Sequence, residues 1–196
     1  MSSSTHDPLR PYFESAFDIL ATEGYGNLKL AVLCERVGVT TGAFYHNFSN
    51  WRTFTRLFLA HWHQECTAQL AELARFESGP LDRLEFLVSA ASRLLPHRAE
   101  AAIRVWSSID PAVATLQESV DRERLAVVRE AFLDLLGDEA EAERFAQLGL
   151  FLLVGFEQSG GSRDPETLTW SLHLIKQVAV DRAASLLKGA RSPDSA

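Results

Sequence analysis

The stretch between Thr40 and Trp51 holds the side chains that are best suited to contact another large molecule. In a helix, Phe44 and Phe48 would face the same side because they are four residues apart. The opposite side would present small residues first and polar rings later, namely Thr41, Gly42, Ala43, Tyr45, His46 and Asn47. Small side chains let a helix approach the DNA major groove, while hydroxyl and imidazole groups reach phosphates and base edges. The pattern therefore predicts a DNA-reading helix.

The sequence gives weaker indications of a metal site, a catalytic site or a redox-active cysteine than of a DNA-binding helix. His63 and Cys66 share one predicted helix with His61, but two close ligands do not complete a structural zinc site, so we predict no metal. The sequence has no glycine-rich phosphate loop, no Gly-x-Ser-x-Gly and no His-Glu-x-x-His, so we expect neither an enzyme nor a cofactor. Cys34 lies among apolar positions and is most simply a small buried residue. A redox role for Cys34 or Cys66 is the minor alternative.

The residues before this stretch predict the elements that hold it. Residues 30–37 carry side chains of one apolar face at the i, i+3, i+4 and i+7 positions of a helix. Gly38 suits the left-handed turn that ends such a helix, and Thr40 suits the N-cap of the next one. An earlier helix would begin at Asp7-Pro8 and end at Gly24. Together they predict a three-helix arrangement that contains a helix-turn-helix.

The remainder of the chain also reads as helix, without convincing strands or repeats. Further helices are predicted over residues 50–76, 81–95, 98–109, 111–136, 139–158 and 165–188. Residues 1–6 are polar and terminal, and we expect them to be disordered. The fold class predicted is therefore all-α.

Charge and composition limit the classes of partner. The net charge is −7, but the first 56 residues carry equal numbers of acidic and basic side chains. We therefore expect DNA contact to depend on hydroxyls, backbone amides and paired reading heads more than on many lysines. The longest apolar run, Leu148–Phe156, is too short to span a membrane. The N-terminus lacks the pattern of a secretory signal, and two cysteines do not make a disulfide framework, so we expect a cytoplasmic protein.

Two predicted helices near the C-terminus are unusually apolar. Leu148–Phe156 is apolar nearly all round, and residues 168–186 have a broad apolar stripe. A helix that is apolar on several sides is buried on several sides, which favours a four-helix interface between two chains. A thick core within one chain is the alternative.

The middle of the chain offers candidates for a small-molecule site. Ligand sites are lined mainly by apolar and aromatic side chains with a few polar groups. The candidates are Trp106, Phe132, Phe151, Glu157 and Trp170. Such a site predicts an apolar or aromatic small molecule.

The motifs from Gly24-Tyr25, through residues 30–40, to Gly42-Ala43-Phe44-Tyr45-x-x-Phe48-x-Asn50 resemble the DNA-binding head of the TetR family of bacterial transcription regulators. The close resemblance spans about residues 8–59, and the rest is similar only in layout. It implies an N-terminal helix-turn-helix domain, residues 7–55, and a C-terminal helical ligand-binding and dimerisation domain, residues 56–188, with helix 50–76 as connector. It also implies a homodimeric, ligand-responsive repressor that a small-molecule effector releases from a palindromic operator.

The resemblance implies DNA contacts by position. Tyr45 and His46 would contact mainly phosphate, while Thr41 and Ala43 would contact base edges, with Thr40 and Gly42 beside them. The sequence departs from the family pattern at both ends of the motif. Lys29 replaces the usual capping hydroxyl; either it reaches a phosphate, or Asn27 caps the helix from a shifted start. Trp51 replaces a phosphate-binding lysine and would pack against the head, while Arg52 would supply the missing charge. A TetR-like activator, or an adaptor that no longer binds DNA, remains the alternative function.

Overall fold

The computed structural model describes residues 7–190, and of residues 162, 187, 189 and 190 only the backbone. Residues 1–6, for which we expect disorder, lie outside the described part. The described chain is helical without strands, which confirms the predicted all-α class. The helices are α1 (Arg10–Glu23), α2 (Leu30–Val37), α3 (Thr41–Asn47), α4 (Trp51–His63), α5 (Gln69–Arg75), α6 (Pro80–Arg93), α7 (His97–Ser107), α8 (Pro111–Leu136), α9 (Glu139–Gln158) and α10 (Pro165–Ala190).

The predicted helix over residues 50–76 is not one regular helix. A π-turn at Gln64–Ala68 lies between α4 and α5. Turns of this kind widen a helix locally and are frequent at functional sites. Nothing in the apolar periodicity of this segment indicated the interruption.

The chain divides into two compact units, and the boundary along the chain falls inside this π-turn. The first, which we call the head unit, contains the residues up to Glu65 together with Pro96–Gln117. The second unit contains Cys66–Leu95 and the residues from Glu118 onward. The division groups α7 and the start of α8 with the helix-turn-helix, which the predicted domains, residues 7–55 and 56–188, did not anticipate.

A hydrogen bond and a ring-stacking contact, each with an aromatic side chain, join α7 to the rest of the head unit. The indole Nε1 of Trp62 in α4 donates a buried hydrogen bond to Glu100 Oε1 in α7, at 2.9 Å. The ring of Tyr25, in a short 3₁₀ turn after α1, stacks on Trp106 with ring centroids 4.9 Å apart. α7 also packs along α1. Both pairs join residues far apart in sequence, which is why periodicity along the chain could not predict them.

The core of the helix-turn-helix is largely aromatic. Phe44, Phe48, Phe54 and Phe58 are almost completely buried, and Tyr12 packs edge-on against Phe48 with centroids 5.1 Å apart. Edge-to-face contacts of this kind add to the stabilisation from burying the rings. The core thereby fixes α3 against α1 and α4 while its other side remains outside.

The second unit has its own core between α6, α8, α9 and α10. Phe132, Leu84 and Ile175 are its larger buried members, with small alanines from α8, α9 and α10 between them. Small residues at these positions let the helices approach closely. Among the described helices, none is both long enough and apolar enough to cross a lipid bilayer.

Candidate nucleic-acid interface and effector cavity

The turn between α2 and α3 is set by one glycine and one threonine. Gly38 has a φ of 79°, in the left-handed region, and Val39 N–H donates to the Cys34 carbonyl at 2.9 Å. This closes α2 in the manner expected of a glycine-terminated helix. Thr40 then caps α3, because its Oγ1 accepts from Ala43 N–H at 3.2 Å. Both predicted roles in the turn are confirmed.

The side of α3 that we predict to contact DNA is exposed to solvent. Tyr45 is 52% exposed, and Thr41, Gly42 and His46 are also exposed, whereas Ala43 is half-buried. Positions 41 and 45 are four residues apart, as are positions 42 and 46, so these exposed residues lie on one side of the helix. Asn47 is exposed as predicted, and its side-chain amide also donates hydrogen bonds to the Tyr12 hydroxyl and the Ala43 carbonyl.

Some basic residues of the head form ion pairs within the chain, and others do not. Arg36 forms ion pairs with Asp18 and Glu23 of α1, and Arg10 forms one with Glu14. The side chains of Lys29, Arg52 and Arg56 are exposed and form no ion pair within residues 7–190. They are the cations of this region that remain available to phosphate. Arg56 was missed from the sequence, although its position one helical turn after Arg52 could have indicated it.

Lys29 and Trp51 differ in their contacts with the head. Lys29 is the N-cap residue of α2, and its side chain forms no capping hydrogen bond. Trp51 packs on the aromatic core, with its ring 5.0 Å from that of Phe54. Packing of Trp51 on the head, one of the expectations from its sequence position, is therefore confirmed.

We expect Asn50→Ala to destabilise the head by about 1 kcal/mol, the usual cost of losing a helix cap. Asn50 Oδ1 accepts from Thr53 N–H at 2.8 Å and so caps α4. Asn50→Asp should be nearly neutral, since aspartate keeps the acceptor and adds a favourable charge at the helix N-terminus. Urea unfolding measures both variants, and equal losses for alanine and aspartate would contradict a capping role.

The second unit contains two neighbouring apolar cavities of about 80 Å³ each. Both are lined by Leu87, Ala91, Val128 and Leu153. Their linings also include one buried cation, Arg124, which is 8% exposed. A concave apolar site with a few polar groups is the usual form of a small-molecule site.

Of the five effector-site candidates, the structure brings only Phe132 to these cavities. Trp106 is buried in the head unit against Tyr25, and Glu157 is fully buried outside both cavity linings. Phe151 and Trp170 are 67% and 64% exposed on the outside of α9 and α10. The five candidates therefore do not line one common cavity, because exposure and burial on one helix depend on which neighbours pack there.

Arg124 is the cavity residue that the sequence analysis overlooked. Val120, Arg124, Val127 and Ala131 recur at spacings of four and three along α8, and all four are buried. A charged residue within an otherwise apolar stripe needs polar partners, so this interruption was a usable signal.

The cavity edge contains a second cation, Lys176. Lys176 forms an ion pair with Glu85, and the hydrogen bond from Lys176 holds the pKa of the Glu85 carboxyl below its usual value. Glu85 also lies 3.7 Å from His173 Nδ1. The charge of Lys176 is therefore shared with a carboxylate at the surface.

Both cysteines are free thiols in buried positions. Burial raises the pKa of the Cys34 thiol, which lowers its thiolate fraction and hence its reactivity. Within the described residues, no group of three or more His, Cys, Asp or Glu side chains lies close enough together to hold a metal ion.

Comparison with known proteins agrees with this geometry. Residues 13–52 match the family described as bacterial regulatory proteins, tetR family. Comparison with curated protein sequences gives no match. A solved transcriptional regulator from Rhodococcus sp. Rha1 is 24% identical with a TM-score of 0.71, and the alignment covers 89% of this chain and 97% of that one.

Two further solved structures share the fold. A TetR-family transcriptional regulator from Streptomyces coelicolor is 17% identical with a TM-score of 0.73, over 89% of this chain and 95% of that one. E. coli NemR in its reduced form is 21% identical with a TM-score of 0.68, over 88% and 97%. The family match identifies residues 13–52 as a helix-turn-helix of the tetR family, and these solved structures share the all-helical fold along most of the chain.

Proposed function

We propose that this protein is a cytoplasmic, ligand-responsive repressor that binds a palindromic operator as a homodimer and leaves it when a small molecule binds. The observation that carries the proposal is the uncovered side of α3, with Tyr45 and His46 exposed on a helix whose opposite side is fixed by buried phenylalanines. A rigid helix with one free polar side is the part that helix-turn-helix proteins insert into the major groove.

In this proposal the exposed residues have different roles on DNA. Thr41 and Ala43 contact base edges, with Ala43 against a thymine methyl group, and Thr40 and Gly42 allow a close approach. Tyr45 and His46 contact phosphate. The cations Lys29, Arg52 and Arg56 contact flanking phosphates, which position the helix without specifying sequence.

The proposed dimer is supported by an apolar surface on the outside of α9 and α10, which we call the C-terminal face. Its exposed members are Leu148, Phe151, Trp170, Leu174 and Val178. The last three recur every four residues along α10 and so form one stripe. A contiguous exposed apolar surface on one chain indicates an interaction site, and a second copy would bury it symmetrically.

The proposed effector site is the pair of apolar cavities between α5, α6, α8, α9 and α10. Their lining residues come from all the helices of the second unit, so a bound molecule would alter how those helices pack. An apolar or aromatic body fits this lining. Release of DNA would follow if the molecule binds the DNA-free form more tightly than the DNA-bound form.

The test is selection of bound sequences from random duplex DNA, followed by gel shift. A homodimer should select two inverted half-sites with centres separated by roughly one helical turn, about 10 base pairs, or a multiple of it. The selected sequence should also occur in the DNA upstream of the regulated gene. An adaptor that no longer reads DNA would select no common sequence, which would overturn the proposal.

We expect Tyr45→Ala to weaken binding to operator and unrelated DNA alike by roughly 10- to 150-fold for each half-site, because a hydrogen bond to a charged group contributes about 1.5 to 3 kcal/mol. Thr41→Ala should instead relax the preferred base at one position in each half-site. Gel shifts on operator and scrambled duplexes measure both effects. A Tyr45→Ala protein with unchanged general affinity and altered sequence preference would show that the assigned roles are wrong.

A further inference from the structure

Arg124 makes two hydrogen bonds to the π-turn that precedes α5. Its Nε donates to Thr67 Oγ1 at 3.0 Å, and its Nη2 donates to the Cys66 carbonyl at 3.2 Å. The turn spans Gln64–Ala68 and follows α4 directly in the chain. One side chain therefore lines the cavities and also binds the irregular segment of backbone next to them.

The lining of the cavities has a single sign of charge. Of the described residues around the first cavity, the charged ones are Arg124 and Lys176, and no carboxylate is among them. Arg124 is the more buried of the two, since it is 8% exposed, whereas the Lys176 side chain is 21% exposed and contacts Glu85 at the surface. Planar guanidinium groups bind carboxylates through paired hydrogen bonds that are shorter and stronger than neutral ones.

We infer that the effector is a small carboxylic acid with an apolar body, and that its carboxylate binds Arg124 in competition with Thr67 and the Cys66 carbonyl. The inference rests on the proposed function only in taking these cavities as the effector site. The apolar body lies against Leu87, Val128 and Leu153, which line both cavities. The carboxylate specifies the ligand class, since a neutral analogue of equal shape lacks the charge-assisted bond.

Ligand binding at Arg124 would also affect the backbone of the π-turn. Drawing the guanidinium toward a carboxylate weakens its bonds to Thr67 and Cys66, which belong to the π-turn. A π-turn has i→i+5 hydrogen bonds in place of the i→i+4 bonds of an α-helix and is frequent at functional sites. In this inference, loss of the bonds from Arg124 lets the turn change its conformation. The segment that responds is the one that leads from α4 to α5.

The test compares matched acids and amides. Octanoate and 3-phenylpropanoate are titrated against octanamide and 3-phenylpropanamide by calorimetry and by thermal unfolding of the full chain. We expect each acid to bind roughly tenfold or more tightly than its amide, since a hydrogen bond between ions exceeds a neutral one by about that factor. Equal affinity of acid and amide, or no binding of either acid, would overturn the inference.

The matched pair of variants is Arg124→Met and Arg122→Met. Arg122 lies on the same helix but is exposed, with its guanidinium near Glu118. Arg124→Met should abolish the preference for the acid, whereas Arg122→Met should keep it. If Arg124→Met does not fold, Arg124→Lys tests the same point, because lysine keeps the charge but loses the paired bonds and should reduce the preference. A preference that survives unchanged in folded Arg124→Met or Arg124→Lys would overturn the inference.

Thr67→Val tests the competition itself. Removing one present partner of Arg124 should tighten octanoate binding several-fold without adding any contact to the ligand. Unchanged affinity for octanoate would show that Arg124 binds the ligand while keeping its hydrogen bonds to the π-turn. That result would overturn the proposed competition between the ligand and the π-turn.

Gel shift on the selected operator separates this inference from the proposed function. Acids that bind at Arg124 but leave operator affinity unchanged would contradict the proposed release of DNA while supporting the carboxylate site. An operator complex that an amide dissociates as well as its acid would support ligand-responsive release and overturn the carboxylate site.

Discussion

Phe151→Asp is expected to convert the dimer to a monomer and to lower operator affinity by roughly 100-fold or more. Phe151 is 67% exposed on α9, and Leu148 and Gly155 on the same helix are also exposed. In the proposed dimer a carboxylate at this position would be buried against an apolar partner, and burying an unpaired charge is costly. Two linked heads gain about 10² to 10⁴ in affinity over one, which is the factor that a monomer loses.

The mass in solution and the operator affinity are measured together, by light scattering and gel shift. The matched control is Phe76→Asp, because Phe76 is 79% exposed but lies outside α9 and α10. That variant should remain dimeric and bind operator normally. A dimeric Phe151→Asp protein, or equal dissociation of both variants, would place the interface elsewhere.

Trp62→Ala is expected to destabilise the head unit by about 3 to 5 kcal/mol, the usual cost of truncating a buried tryptophan or phenylalanine. Trp62 is fully buried, and its Nε1 donates to Glu100 in α7 at 2.9 Å. The substitution removes the largest side chain between α4 and α7 and takes a donor from a buried carboxylate. Because domains are stable by about 5 to 15 kcal/mol, much of the head would unfold at moderate temperature.

Urea unfolding compares this variant with two others. Trp62→Phe keeps most of the ring volume and loses the N–H group, so it should cost about 1 to 3 kcal/mol. Phe76→Ala removes an exposed ring and should change stability by less than about 0.5 kcal/mol. A Trp62→Ala protein as stable as Phe76→Ala would show that α7 does not support the head.

The elements with local signals were predictable from the sequence. Gly38 and Thr40 fixed the turn before α3, because a left-handed backbone and a capping hydroxyl each depend on one residue and its immediate neighbours. Phe44 and Phe48 identified the buried side of α3 through their spacing, and the exposed side followed from it. Helix ends at Gly24, Pro80 and Gly137 were visible for the same reason.

The features that depend on distant partners were not predictable. Glu100 and Trp62 are separated by 38 residues, and no periodicity connects them. Phe151 and Trp170 read as candidate pocket residues because their aromatic type fits a pocket, yet the side on which they lie depends on how α9 and α10 pack. The π-turn had no indication, since its apolar spacing is close to that of a regular helix. The sequence did contain an indication of Arg124, which is a charged residue within the buried apolar stripe of α8.

The most direct test of the account is a titration of the protein on its selected operator and on a scrambled duplex at several salt concentrations. Each head has Lys29, Arg52 and Arg56 exposed without an ion pair in the described chain, so two heads offer about six ionic contacts to phosphate, besides the uncharged contacts of Tyr45 and His46. We predict preferential binding to the operator, with a slope of log affinity against log salt of about −5. Equal affinity for both duplexes at every salt concentration would contradict it.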